Sequence, residues 1–366
     1  MPSDSPTPGR PSGLHAELDE DEAFWRDHQV WLQQCGYMLR PRYMPDWTPS
    51  WDNTKVSRLE REDGQISVLP YLIFDATRIS DGAQVALKLI KPSKDPLEQE
   101  TMTYFSTGSV ASDPRNHCAP IYEALKVPDV DDRVILVMPL LRWTDDPPFE
   151  TIGEVVDFFG QVIEGLQFMH EHCVAHRDCT SVNIMMDGAM YPDGFHPVIT
   201  DKNRNFSGPA RGFTRTERRP KYYFIDFGMS RRYRSEDMPI LDEPFRGGDK
   251  TVPEFRNVTG LLNPFPTDVY GIGNGMRTKI MQVYRGLEFM EPLVGDMVQD
   301  DPDKRPTIDQ ISQRFSEIRA KLSSNKLRSR IAKREENIVA GLFRGIAHLY
   351  RRGKYTFRGM AADPGR

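Results

Sequence analysis

The sequence predicts an α+β fold in which a small antiparallel sheet lobe precedes a larger helical lobe. Runs rich in β-branched and apolar residues dominate up to about residue 141, and helical spacing of apolar residues takes over from residue 152. The segments with the most chemical content, around Asp178 and Asp226, stand at that junction. At 366 residues the chain is long enough for one large two-lobed domain or two ordinary ones. Its 38% hydrophobic and 28% charged content is that of a folded chain.

Taken in order, residues 1 to about 14 are rich in Pro, Ser and Gly, a composition that favours disorder. Residues 21 to about 34 read as a short amphipathic helix with Phe24, Val30 and Trp31 on its buried side. Residues 39–51 interleave Pro41, Pro45 and Pro49 with aromatics, which excludes a helix interior and predicts an extended strap packed on the fold; a regulatory tether is the other reading. Residues 66–74 and 84–90 read as hairpin strands around the turn residues Ser80, Asp81 and Gly82. A short helix follows at 97–105 and a buried strand at 134–141. The next helix, 152–172, carries Val155, Phe159, Val162, Ile163, Leu166 and Met169 near helical spacing. From about 188 to 220, turn residues such as Pro192-Asp193-Gly194 and Ser207-Gly208-Pro209 predict a loop. Beyond Asp268 the chain reads as mainly helical.

The net charge of -5 conceals an asymmetry. Acidic residues gather at 17–22, whereas from residue 317 onward thirteen Lys and Arg oppose four Asp and Glu, a surplus of about +9. In that tail Ile338, Leu342, Phe343, Ile346, Leu349 and Tyr350 space as an amphipathic helix among arginines. Such a helix either packs on the helical lobe or binds an acidic partner, an anionic membrane or nucleic acid. The basic residues of the 188–220 loop, from Lys202 to Lys221, either form a solvated surface or dock an acidic partner. Cys35, Cys118, Cys173 and Cys179 lack paired metal-ligand spacing, which suits a reducing compartment and offers neither a disulfide framework nor a zinc site. No secretory signal and no transmembrane segment is expected, so cytoplasm or nucleus is the expected location.

The run His176-Arg177-Asp178-Cys179-Thr180-Ser181-Val182-Asn183 supplies an Asp and, five residues later, an Asn. Asp226-Phe227-Gly228 supplies another Asp beside a Gly that permits an unusual backbone. Phosphoryl transfer needs such groups: a carboxylate to orient or deprotonate the attacking hydroxyl, and oxygen ligands for magnesium. Upstream, Val85-Ala86-Leu87-Lys88 puts Lys88 at the end of a strand behind the small Ala86, where a buried ammonium needs a charge partner. Glu98 and Glu100 are the candidates. Glu98 is preferred because Met102 and Phe105 follow it on one apolar face. In this order the motifs resemble those of a protein kinase. Val252-Pro253-Glu254, Asp268-Val269-Tyr270-Gly271-Ile272-Gly273 and Asp301-Pro302-Asp303-Lys304-Arg305-Pro306-Thr307 extend the resemblance into the helical lobe, over about residues 52 to 320. Leu39-Arg40-Pro41-Arg42-Tyr43 and Pro114-Arg115-Asn116-His117-Cys118 are similar to segments of kinase-like proteins abundant in mushroom-forming fungi.

The resemblance implies a two-lobed protein-kinase-like fold: an N-terminal extension to residue 51, an N-lobe at 52–141, a C-lobe at 142–320 with an insertion at about 188–220, and a basic tail at 321–366. It implies ATP and Mg2+ as cofactors and a protein substrate. Asp178 would be the base or hydroxyl-orienting carboxylate, and Lys88 paired to Glu98 would hold the phosphates. Asn183 and Asp226 would hold magnesium. Ala86, Met138, Pro139, Leu141 and Met185 would surround adenine, with 138–141 as hinge. His176 would join a spine of packed side chains, Arg177 would meet a phosphate or carboxylate of the activation segment, and Arg305 would bind Glu254.

Two departures matter. Ile66-Ser67-Val68-Leu69-Pro70-Tyr71 stands where a glycine-rich phosphate loop belongs, and Pro70 has no amide hydrogen to offer. That opens an alternative, a catalytically weak or inactive kinase-fold scaffold acting through protein contacts. Thr180, Val182 and Gly247-Gly248 occupy the positions that mark acceptor class, so Ser/Thr and Tyr acceptors both stay open.

Overall fold

The computed structural model describes residues 18–52, 54–67, 72–237, 240–244, 248–256 and 260–366. The expectations for residues 1–14, for 68–71 of the phosphate-loop position and for Gly247 lie outside them. The fold is mixed α/β with antiparallel strand pairs. The chain divides into two compact units, Met1–Leu89 with Phe195–Ala210, and Ile90–Gly194 with Arg211–Arg366.

In the first unit Asp19 and Glu22 cap α1 (Glu20–Asp27) reciprocally. The helix stops at His28, whose Nδ1 lies 2.7 Å from the Phe24 carbonyl oxygen, and α2 (Gln29–Gln34) starts anew. That break shifts the helical phase. The sequence predicts one helix burying Phe24, Val30 and Trp31; instead Trp25 and Leu32 are buried and Val30 is 55% exposed. β1 (Tyr37–Met38) pairs with β2 (Ile73–Arg78), and β2 with β3 (Gln84–Ile90), around a turn whose Gly82 takes a φ of +71°. β2 begins at Ile73, residues 66 and 67 lie outside any strand, and the Ser67 hydroxyl donates to the Ile73 carbonyl at 3.1 Å.

Residues 39–51 pack, as a strap does, but include a 3-10 turn at Pro41–Tyr43. Phe74 of β2 receives Trp25 stacked at 4.6 Å and Tyr43 edge-on at 4.5 Å. Arg42 is fully buried and donates to both Glu22 oxygens, at 2.7 and 3.0 Å. Burial pushes the Glu22 carboxyl up, but the Arg42 and Tyr43 hydrogen bonds outweigh it and hold the group below its ordinary range. Phe195–Ala210, the middle of the predicted loop, belongs to this unit: Gln84 donates to the Phe195 carbonyl at 2.8 Å, and Arg204 to Gly82 O and Thr77 Oγ1 at 2.6 and 2.5 Å.

The second unit runs through α3 (Pro96–Phe105), α4 (Gly108–Ser112), the antiparallel pair β4 (Glu123–Lys126) and β5 (Val134–Pro139), and β6 (Arg142–Trp143). α5 (Ile152–Glu171) crosses its core, with all six apolar residues anticipated from the sequence at most 2% exposed. β7 (Val174–Ala175) pairs with β10 (Arg231–Arg232), and β8 (Ile184–Met186) lies between β6 and β9 (Tyr222–Phe224). α6 (Pro264–Gly275), α7 (Glu291–Met297), α8 (Ile308–Lys321), α9 (Ser324–Leu327) and α10 (Ile338–Phe357) follow. Asn263 caps α6, so Asp268 lies inside this helix rather than at its start.

Three basic loop residues also bond within the second unit. Arg215 is 2% exposed and donates to the Thr144 and Pro148 carbonyls, Arg219 pairs with Asp157 at 2.8 Å, and Lys221 Nζ lies 3.3 Å from the Pro114 carbonyl. Arg215 is an internal strut, whereas Arg219 keeps an exposed side chain and Lys221 is half-buried. The four cysteines are free thiols, and among the described residues no helix is long and apolar enough to cross a membrane.

Candidate active site

The chain after β7 is anchored from below by Asp268 of α6, which is 1% exposed. Its two oxygens accept the His176 and Arg177 backbone N–H groups, both at 2.7 Å, and His170 Nε2 lies 3.1 Å away. Arg177 takes a φ of +67° here, a conformation that such amide-to-carboxylate bonds can hold against its intrinsic cost. The His176 ring packs 5.1 Å from Phe227, and its Nε2 donates to the Ile225 carbonyl at 3.0 Å. Phe227 is fully buried and also faces Phe105 of α3 at 6.2 Å.

Asp178 follows on this fixed backbone. Asn183 Nδ2 donates to Asp178 Oδ2 at 2.8 Å and to its carbonyl at 3.0 Å, and the Gly248 N–H donates to Oδ1 at 2.7 Å. The β8–β9 register sets Ile184 opposite Phe224, and the Ile225 N–H donates to the Asn183 carbonyl at 3.0 Å. That register brings Asn183 and Asp226 to the same end of the pair. Asp226 adopts the left-handed conformation, φ 62° and ψ 73°, which Asp tolerates better than most residues. A Cβ placed on Gly228 would lie 3.6 Å from both Asp226 Oδ1 and Glu98 Oε2, so the two carboxylates face the same turn. Glu98 is 3% exposed, whereas Glu100 points to solvent.

The donor set fits magnesium. With Nδ2 turned to Asp178, the Asn183 amide oxygen is the side-chain atom left for a cation, and the Asp226 carboxylate is a second hard oxygen donor. Among the described residues no group of three or more His, Cys, Asp or Glu could hold a metal by itself. A few hard oxygens completed by phosphate and water are what magnesium, and not zinc, takes.

In the first unit Ala86 and Lys88 are buried on β3, Lys88 standing across from Ile73 of β2. In the second unit Met138 is buried near the end of β5, and Pro139 and Leu141 are half-buried. Trp143, Met185 and Tyr223 form one cross-strand row over β6, β8 and β9; the next row, Arg142, Met186 and Tyr222, is buried. Met185 therefore lies between two aromatics, with Trp143 half exposed. Strand register makes this row, and the sequence alone gave no sign of it.

Arg177 meets a carboxylate. Asp242 lies 3.4 Å from Arg177, accepts from Arg231 at 2.6 Å and from the Tyr233 hydroxyl at 2.7 Å. Burial pushes the Asp242 carboxyl up, but these hydrogen bonds outweigh it and hold it below the carboxylate range. Arg305 grips Glu254 with bonds of 2.6 and 2.7 Å and lies 4.8 Å over the Tyr270 ring. Asp242 and Gly248 were not foreseen as partners, because both act across irregular chain where no periodicity points to them. No protein-family model matches this chain, and no curated protein matches it.

Proposed function

We propose that the chain is an ATP- and magnesium-dependent protein kinase of the two-lobed type, transferring the γ-phosphoryl group to a protein hydroxyl. The observation that supports this most is the convergence of Asp178, Asn183 and Asp226 around one end of the β8–β9 pair. Asn183 Nδ2 orients the Asp178 carboxylate, which accepts a hydrogen bond from the acceptor hydroxyl and draws off its proton as attack proceeds. Asn183 and Asp226 would hold magnesium, which when bound neutralises charge on the triphosphate. Lys88 is the cation that the resemblance assigns to the α- and β-phosphates, with Glu98 as its carboxylate. The resemblance likewise assigns adenine contacts to Ala86, Met138, Pro139, Leu141 and Met185. A reducing compartment, cytoplasm or nucleus, suits the four free thiols. Radiolabel transfer from ATP to generic proteins or to the chain itself tests the proposal, with Asp178→Asn alongside. Labelling lost in the variant supports it, and equal labelling by both proteins refutes it.

One observation favours the scaffold alternative. The Gly248 N–H sits on Asp178 Oδ1, the carboxylate that an acceptor must reach. Tight magnesium-ATP binding by the wild-type chain without any transfer would select this second reading.

A further inference from the structure

α10 is docked on the second unit by its polar side. Tyr355 is 3% exposed with its hydroxyl 2.8 Å from Thr214 Oγ1, Lys354 Nζ lies 2.6 Å from Glu217, and Arg351 Nε lies 2.9 Å from Glu150. The side turned outward is apolar. Ile338 is 89% exposed, Tyr350 77%, Phe343 68% and Leu349 65%, with Leu342 and Ile346 bare between them. At about 100° per residue these six fall within one arc of about 140°. Surface helices of soluble proteins normally turn such a stripe to the core. Here three polar contacts hold it the other way, leaving an apolar face of roughly several hundred Å2, the size that marks an interaction surface.

We propose that this face of α10 lies on an anionic lipid surface. The helix carries no acidic residue from Ile338 to Phe357. Arg352 borders the apolar arc on one side and Lys354 on the other, and the exposed Arg358 follows at the end. Arg352 donates to the neutral Asn325 amide oxygen at 3.0 Å, so its charge is not cancelled there. Phe343, Tyr350 and Phe357 recur along one edge of the arc, a placement that suits rings at headgroup depth. Because α10 is not apolar enough to cross a bilayer and its polar side is held by protein, insertion is shallow and parallel to the surface. A second copy of the chain is a poorer occupant. Pairing two such faces brings Arg352 and Arg358 towards cations of the other copy, with no acid on the helix to offset them. Nucleic acid needs cations at the centre of the contact face, where this helix has Leu342 and Ile346.

The inference rests on α10 alone and is independent of phosphoryl transfer. Its test is co-sedimentation of the full chain with phosphatidylcholine vesicles and with vesicles enriched in phosphatidylserine. Sedimentation velocity without lipid runs in parallel. Binding to the anionic vesicles should fall by at least about tenfold in Leu342→Glu/Ile346→Glu. Arg352→Gln and Arg358→Gln should each lower it by about fivefold. Circular dichroism should be unchanged and melting temperature little changed, since Leu342, Ile346 and Arg358 are exposed and Arg352 gives up one hydrogen bond, to Asn325. Absence of binding to either vesicle, or equal binding to both, overturns the proposal. So does a dimer in solution that Leu342→Glu/Ile346→Glu dissolves, which would make a second copy the occupant.

Discussion

Asp268 and Asp178 are both carboxylates that accept hydrogen bonds from their surroundings in the second unit, and they differ in how completely they are enclosed. Asp268 is 1% exposed and is met by two backbone amides and a histidine. Asp178 is half-buried, with one amide nitrogen from Asn183 and one backbone N–H from Gly248. The enclosed carboxylate fixes backbone; the half-open one is oriented yet reachable. Under the proposed function the same side chain would serve structure in one place and chemistry in the other, according to how much of its shell the protein fills.

The sharpest way to break that contrast is Asp178→Asn. It should lower phosphoryl transfer by roughly a hundred- to ten-thousand-fold, with little change in melting temperature. A large drop in melting temperature would make Asp178 another strut. Next comes Arg305→Ala, which strands Glu254 as a buried charge. Urea unfolding should show a loss of about 3–5 kcal/mol, and a loss under 1 kcal/mol would remove the pair from the structural class. Asp268→Asn should cost less, about 1–3 kcal/mol, because an amide keeps one acceptor oxygen but turns an NH2 towards an N–H donor. It should lower activity only through the displaced backbone of His176 and Arg177, so nucleotide affinity should change less than turnover.

The smallest effect is the dependence on pH. Burial raises the Glu254 and Glu22 carboxyls, but their arginine partners outweigh it and leave both below the ordinary range. A depressed carboxyl stabilises the fold fully above its unfolded value of about 4.3 and loses that contribution as pH falls through the folded value. Urea midpoints should therefore be flat above that value and decline below it. Glu254→Gln should flatten part of the decline, and an unchanged slope would show that Glu254 adds nothing to acid unfolding.

Much of this was legible where a local rule governs. The period of α5 is read directly from Val155 to Met169, whereas Asp178, Asn183 and Asp226 stand out through their resemblance to kinase motifs. The N-terminal helix was misread because His28 breaks the phase that periodicity assumes. Asp242 and Gly248 were invisible because each meets its partner across irregular chain. α10 shows both limits at once. Its amphipathic character is plain in the sequence, but which side docks is decided by Glu150 and Glu217, far away in the chain.

Under the proposed function Asn183 and Asp226 furnish a magnesium-nucleotide site. Calorimetric titration of the wild-type chain and of Asp226→Asn with magnesium-ATP tests it most directly. Saturable binding by the wild-type chain that needs magnesium and is lost in the variant is the predicted result. No binding by the wild-type chain, or the same affinity in both proteins, would contradict it.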